Sequence, residues 1–172
     1  LEILKLLVEK GANISLQNNK GENLLYIAAK DGRQEVIKLL LSNNVETNIK
    51  NKMSVDAISM ACEKGSSKAG YNLLKYGVNP NGKNDEGYIP IQIAVKNGNK
   101  EITEILLSYE ANPNITGPDG KSSIQSALKE NHKEIIKLFL EKGFSSYMGI
   151  SLIHMAVELG NEEAVELILK YG

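Results

Sequence analysis

The chain has 172 residues and a formal net charge of −1, with 20 Lys and Arg residues against 21 Asp and Glu residues. Binding to nucleic acid or to an anionic membrane surface requires an excess of cationic side chains, so we expect neither partner. No apolar run approaches the roughly 18 residues that span a bilayer, and the first ten residues lack the features of a signal peptide. The single cysteine, Cys62, cannot form an internal disulfide. It favours an intracellular, reducing compartment, the cytoplasm first and the nucleus as an alternative.

The predicted elements repeat along the chain with a step of 33 residues. Residues that coincide at this step form three sets: Gly32, Gly65, Gly98 and Asn131; Gly11, Asn44, Gly77, Glu110 and Gly143; and Gly21, Ser54, Gly87 and Gly120. Between these marks each unit has a short apolar helix, a turn and a longer helix with apolar residues at i, i+3 and i+4. A polar, turn-rich segment of about ten residues then leads to the next unit.

In chain order, the first unit (residues 1–17) supplies only a second helix, and complete units cover residues 18–50, 51–83, 84–116 and 117–145. The last unit, residues 146–172, begins with a shortened turn, because Gly149 trails Gly120 by 29 residues. We therefore expect one domain over residues 1–172. Neither end shows the polar outer face of a capping repeat, which predicts a fragment of a longer array. We expect a monomer whose uncapped ends can self-associate end to end.

A small residue recurs in each first helix, at Ala28, Ala61, Ala94, Ala127 and Ala156. The segments that open these helices read NLLY, DAIS, IPIQ, SSIQ and SLIH. Together with the 33-residue step, this pattern resembles the ankyrin repeat, whose signature is T-P-L-H-x-A. Only Pro90 keeps the proline of that signature and only His154 keeps its histidine. The resemblance implies an all-α solenoid of stacked helix–turn–helix units with protruding turns or β-hairpin fingers.

The residue types that carry chemistry are dispersed along the chain. His132, His154 and Cys62 lie in different units and share no short spacing of the kind that a metal site or a Cys–His nucleophile uses. Glutamates recur where the second helices begin, and there they complement the helix dipole: Glu35, Glu101, Glu134 and Glu163. We therefore expect no catalytic residue, no cofactor and no metal. The resemblance implies that His154 bonds turn backbone between neighbouring units and that His132 stacks and caps.

The same resemblance implies that a protein partner docks on the concave face that the protruding turns and first helices form. Met53, Val55 and Tyr88 are the apolar residues predicted on that face, so we expect them to form a hot spot. Four charged residues are expected around it: Lys52, Lys64, Lys83 and Glu86. The alternative is that Met53 and Val55 only pack against adjacent turns.

The function expected from these features is that of a non-enzymatic scaffold for protein–protein interaction. The alternative is a structural spacer, or a regulatory segment of a larger protein whose activity lies outside these residues. Fold alone does not choose between them, because repeat folds serve many partners.

Two irregularities interrupt the repeat. Gly70 and Asn72 stand in the second helix of the third unit along the chain, where the preceding unit has apolar residues. A glycine inside a helix costs about 1 kcal/mol, so this helix is the predicted softest point of the array, with Asn72 facing the stack. The shortened last turn predicts that Phe144 and Tyr147 fold onto the stack.

Overall fold

The computed structural model describes residues 1–47, 56–147 and 150–171, with the side chains of residues 146, 147 and 150 outside the description. Short first helices alternate with longer second helices along these ranges. The first helices are α2 (Leu24–Lys30), α4 (Ala57–Glu63), α6 (Pro90–Lys96), α8 (Ser123–Lys129) and α10 (Leu152–Glu158). The second helices are α1 (Glu2–Glu9), α3 (Gln34–Ser42), α5 (Ser67–Lys75), α7 (Lys100–Ser108), α9 (Lys133–Glu141) and α11 (Glu162–Tyr171).

The helices stack in two layers. First helices contact one another in the order α2, α4, α6, α8 and α10, and second helices do so in the order α3, α5, α7, α9 and α11. Within each repeat from α2–α3 to α10–α11, the first helix also contacts the second helix. Each of these helices therefore packs on its partner in the same repeat and on the helices of neighbouring repeats. This is the one-dimensional stack of a helical solenoid, and the predicted all-α fold is confirmed.

The helices end at residues with left-handed backbone, where φ is positive. First helices end before Gly32, Gly65, Gly98, Asn131 and Gly160, and second helices end before Gly11, Asn44, Gly77, Glu110 and Gly143. Asn44, Glu110 and Asn131 adopt this conformation although they are not glycine, with φ values of 55°, 64° and 53°. The helix ends therefore keep one backbone geometry even where the side chain departs from the glycine that favours it.

The core runs along the interface between the two layers. The five recurring alanines of the first helices are at most 1% exposed, because their small side chains allow neighbouring repeats to approach closely. Leu40, Leu73 and Leu106 occupy one position in successive second helices and are fully buried. Each repeat therefore covers its apolar residues with those of its neighbours.

Gly70 and Asn72 have specific structural roles in α5. Asn72 is buried as predicted, and its Nδ2 donates a hydrogen bond of 2.9 Å to Gln34 Oε1 in the preceding repeat. A Cβ atom on Gly70 would lie 2.7 Å from Ile102 Cδ1, well inside van der Waals contact. The absent side chain lets α7 pack closely on α5. The greater softness expected of this helix stays a prediction.

We expect Gly70→Ala to destabilise the protein although alanine favours a helix. The gain of about 1 kcal/mol in helix propensity is outweighed by overpacking against the buried Ile102, which costs about 1 to 3 kcal/mol. Gly82→Ala is the matched control, since a Cβ there meets nothing closer than 3.4 Å. Urea denaturation of both variants measures the difference. A Gly70→Ala protein more stable than wild type would show that the close approach of α7 is not required.

The shortened last turn forms a small hairpin. Strand β1 (Ser146–Tyr147) pairs antiparallel with β2 (Ile150–Ser151), which leads directly into α10. Phe144 is partly buried against the core and meets Phe139 edge to face, with 6.1 Å between ring centroids. The predicted packing of Phe144 onto the stack is confirmed, whereas the side chain of Tyr147 lies outside the described residues.

Candidate functional site

The seven residues predicted at the protein-binding surface, three in the hot spot and four around it, are only partly described by the structure. Lys52, Met53 and Val55 lie outside the described residues. Tyr88, Lys64, Lys83 and Glu86 are described, and Tyr88 is half-buried while the three charged residues are exposed. The structure brings Tyr88 and Glu86 to one groove on the first-helix face, but Lys64 and Lys83 do not line it.

Tyr88 is held at the end of the finger that precedes α6, which we define as residues 79–89. Asn84 fixes this end of the finger, because its Oδ1 accepts from the Tyr88 N–H at 2.9 Å and its own N–H donates to the Tyr88 carbonyl at 2.9 Å. Gly87 has φ +85°, and a Cβ there would lie 2.9 Å from Pro118 of the next finger. The finger therefore sits tightly against its neighbour and presents the Tyr88 ring on the first-helix face.

A groove between α4 and α6 lies on one side of Tyr88. This α4–α6 groove has a volume of about 370 Å³ and is lined by Ser59, Glu63, Asn84, Glu86, Tyr88, Gln92, Ile93, Lys96 and Asn97. It contains two carboxylates, Glu63 and Glu86, against one amine. The carboxylate of Glu63 lies 3.2 Å from the Lys64 amine, an exposed ion pair that holds the side chain only weakly.

A second groove, between α6 and α8, lies on the other side of Tyr88. This α6–α8 groove has a volume of about 300 Å³ and is lined by Tyr88, Gln92, Lys96, Asp119, Lys121, Ser126, Lys129 and Glu130. Lys96 lines both grooves, with its Nζ 5.8 Å from the centroid of the Tyr88 ring, in cation–π contact. Tyr88 and Lys96 thus form the ridge that divides the two grooves.

Gln92 supports this ridge from below. It is 5% exposed, and its Nε2 donates to the carbonyls of Ile115 at 3.0 Å and Lys121 at 3.2 Å, both in the finger that precedes α8. Its Oε1 accepts from the buried N–H of Ile89 at 3.0 Å. One side chain therefore fixes the start of α6 and ties the next finger to it.

The structure reveals an exposed aromatic cluster that sequence reasoning missed. Tyr71 and Tyr76 on the second-helix face are 44% and 43% exposed. Tyr71 meets Tyr109 of the next repeat edge to face, with 6.2 Å between centroids, and the Tyr76 hydroxyl bonds Ser42 Oγ at 3.0 Å. A signal for Tyr71 exists in the repeat alignment, because the neighbouring units carry Lys38 and Glu104 at its position.

The dispersed chemical residues are not brought together. The ring of His132 packs against Gly98 of the preceding repeat, where an added Cβ would lie 3.0 Å away, so its stacking role is supported. His154 is exposed and its Nδ1 lies 2.5 Å from Ser151 Oγ in its own repeat. It stands in the last unit of the sequence, so its expected bond to a neighbouring unit stays a prediction. Burial raises the pKa of the Cys62 thiol, and the nearby Asp56 carboxylate raises it further. Among the described residues, no group of three or more His, Cys, Asp or Glu side chains is placed to hold a metal ion.

Comparison with known protein families assigns the chain to one of them. The family described as "Ankyrin repeats (3 copies)" matches residues 1–84, 58–148 and 91–172, which together span the sequence. The chain therefore belongs to the ankyrin repeat family. Ankyrin repeats generally mediate protein–protein interaction, and the family is typically non-enzymatic. No curated protein matches the chain. Within the described ranges, every helix is too short or too polar to cross a membrane.

Proposed function

We propose that this chain is a non-enzymatic scaffold that binds a protein partner through its first-helix face, centred on Tyr88. The observation that carries the proposal is the placement of Tyr88 between two adjoining grooves, so that one half-buried aromatic ring lines both. A side chain of this kind adds contact area on binding without a large loss of conformational freedom. The grooves on either side supply concave surface and polar groups for neighbouring partner residues.

Hydrogen bonds within the chain also support the first-helix face in the absence of a partner. Gln92 fixes one finger to α6, and Asn84 fixes the other around Tyr88. Gly117 allows the two supports to coexist, since a Cβ there would lie 2.8 Å from Gln92 Nε2 and 3.2 Å from the Tyr88 ring. A surface ordered in advance loses less entropy when a partner docks.

Selection of binding peptides tests the proposal while the partner is unidentified. A display library of random 12-residue peptides is panned against the 172-residue chain, and selected peptides are synthesised and titrated by fluorescence anisotropy. We expect Tyr88→Ala to weaken their binding about tenfold or more, which is about 1.4 kcal/mol and typical of a hot-spot aromatic. The melting temperature of the variant is measured alongside, so that lost binding is separated from lost folding.

Tyr71→Ala is the matched control, since it removes the same side chain from the opposite face. Peptides that bind the first-helix face should bind this variant as they bind the wild type. Peptides that lose affinity on Tyr71→Ala and not on Tyr88→Ala would place the principal binding surface on the tyrosines of α5 and α7. The alternative function, a spacer within a larger protein, predicts that no selected peptide depends on Tyr88.

A further inference from the structure

Two successive repeats differ at the position that ties a finger to its first helix. Gln92 in α6 and Ser59 in α4 are 33 residues apart and occupy the same place in their helices. Gln92 donates to the carbonyls of Ile115 and Lys121. Ser59 is too short to make the equivalent bonds to the finger that precedes α6.

Because serine is shorter than glutamine, Ser59 Oγ and the Tyr88 carbonyl lack, in the part of the chain that the structure describes, the hydrogen bond that joins Gln92 to the Lys121 carbonyl in the next repeat. Ser59 is 2% exposed, and its Oγ has no hydrogen-bond partner among the described residues. The carbonyl of Lys121 accepts from both Gly117 N–H and Gln92 Nε2, whereas within the described chain the equivalent carbonyl of Tyr88 accepts from Asn84 N–H and from no side chain. Ser123 Oγ also lacks a partner within the described ranges, but of these two hydroxyls only that of Ser59 belongs to a residue lining a groove beside Tyr88. A buried hydroxyl without a partner needs an explanation.

The residue opposite the short side chain differs as well. Asn84 stands where the next finger has Gly117, and Gly117 is the residue that makes room for Gln92. Asn84 fills part of the space that a glutamine at position 59 would need, but the α4–α6 groove of about 370 Å³ remains beside both residues. No side chain at position 59 therefore ties the finger to α4, whereas Gln92 ties the next finger to α6.

We infer that the α4–α6 groove receives an arginine side chain from the protein partner. Its guanidinium would replace the missing glutamine amide, donating to Ser59 Oγ and to the Tyr88 carbonyl. Glu63 and Glu86 line the groove and supply carboxylates for the remaining donors, while the Tyr88 ring offers a face on which a guanidinium stacks. Lys96 is the one amine in the described lining, and its long side chain can turn toward the α6–α8 groove, which it also lines.

Arginine fits this groove better than lysine does. A guanidinium presents five N–H donors in a plane and can bond a carboxylate, a carbonyl and a hydroxyl together. An ammonium is a compact charge that is more strongly hydrated and costs more to bury. The inference rests on the proposed function and adds the chemistry of the partner residue to it.

The peptides selected on the wild-type chain test the inference through their sequence. We expect the peptides that depend on Tyr88 to share an arginine. Its replacement by glutamine should weaken binding about tenfold or more, and its replacement by lysine should weaken binding by a smaller factor. Peptides that depend on Tyr88 but share no arginine overturn the inference and leave the proposed function standing. A library with no Tyr88-dependent peptide overturns both.

The double variant Ser59→Gln/Asn84→Gly copies the pair found in the next interface and places a glutamine amide where the guanidinium of the partner would lie. We expect it to bind the arginine peptide about tenfold or more weakly than the wild type does and to show no further loss with the Arg→Gln peptide. Its melting temperature is measured alongside, since the glutamine gains the bonds that Gln92 makes while Asn84→Gly removes the acceptor of the Tyr88 N–H. Undiminished binding of the arginine peptide to the folded variant overturns the inference.

Glu86→Gln gives an independent test that does not depend on the folding of the double variant. Glu86 is exposed, and no ion pair joins it to another described residue, so its neutralisation should leave the melting temperature unchanged. Binding of the arginine peptide should fall severalfold and should lose part of its dependence on salt. Equal affinity for both proteins at low salt would contradict the pairing of the arginine with Glu86 that the inference requires.

Discussion

Phe139→Ala is expected to destabilise the array by about 3 to 5 kcal/mol, the range for removing a fully buried phenylalanine. Phe139 is the largest of the fully buried side chains in the described core and is 1% exposed. Its ring lies in α9 and meets Phe144 edge to face, so its loss removes both core volume and an aromatic contact. Chemical denaturation monitored by circular dichroism measures the change in the free energy of unfolding.

The loss should be local, because each repeat contacts only its neighbours. Hydrogen exchange is expected to accelerate in α8 to α11 and to change little in α2 and α3. Val157→Ala is the control, since Val157 is 64% exposed and its truncation should alter stability by no more than about 0.5 kcal/mol. Uniform acceleration along the whole chain would contradict a one-dimensional array and indicate a single cooperative core.

Gln92→Ala is expected to lower the free energy of unfolding by about 2 to 3 kcal/mol. The substitution leaves the buried Ile89 N–H without its acceptor and removes the donor to the Ile115 and Lys121 carbonyls. The affected groups lie in two successive repeats, so the variant should loosen the interface between α6 and α8. Faster amide exchange in residues 115–121, together with a lower melting temperature, is the measurement.

Asn97→Ala serves as the control for Gln92→Ala. Asn97 lines the same groove, but its Nδ2 donates to the Ile93 carbonyl at an exposed helix end, and its removal should change stability by no more than about 0.5 kcal/mol. If the two variants were equally stable, Gln92 would not be the side chain that secures the next finger.

The repeat alignment is sufficient to predict the architecture because helix ends obey a backbone rule. Positions 44, 110 and 131 carry Asn or Glu, yet they take the same left-handed φ as the glycines with which they align. The burial of the recurring alanines can also be predicted from the repeat, since a small residue at the same position of every unit indicates where neighbouring repeats approach most closely. The 33-residue period is thus sufficient to predict the stacked fold, although no unit carries the complete signature of the family.

The site is predicted less completely because its groups depend on tertiary distances. Tyr88 can be placed on the first-helix face, since an aromatic residue beside a turn glycine interrupts a polar segment. Ser59 gives no signal by itself, and its meaning emerges only beside the bonds that Gln92 makes in the next repeat. Tyr71 escapes prediction because an aromatic residue in an amphipathic helix is usually core, whereas here it packs on the surface against Tyr109.

His154 agrees with the family signature, which implies a bond between repeats. The structure shows its ring bonded to Ser151 in its own repeat, and no unit follows it in the sequence to test the second bond. At the same helix position in α6, a bond to the following unit is made by Gln92, a residue that departs from the signature. A side chain of similar length with both a donor and an acceptor can therefore take over the role.

Amide chemical-shift mapping locates the binding surface on the wild-type protein without any substitution. The ¹⁵N-labelled chain is titrated with an unlabelled peptide selected from the display library, and shifts are followed residue by residue. We expect the shifts to concentrate on Ser59, Glu63, Tyr88 and Lys96, at the borders of the two grooves. Shifts concentrated instead on Tyr71, Tyr76 and Tyr109 of the second-helix face would contradict a partner site centred on Tyr88.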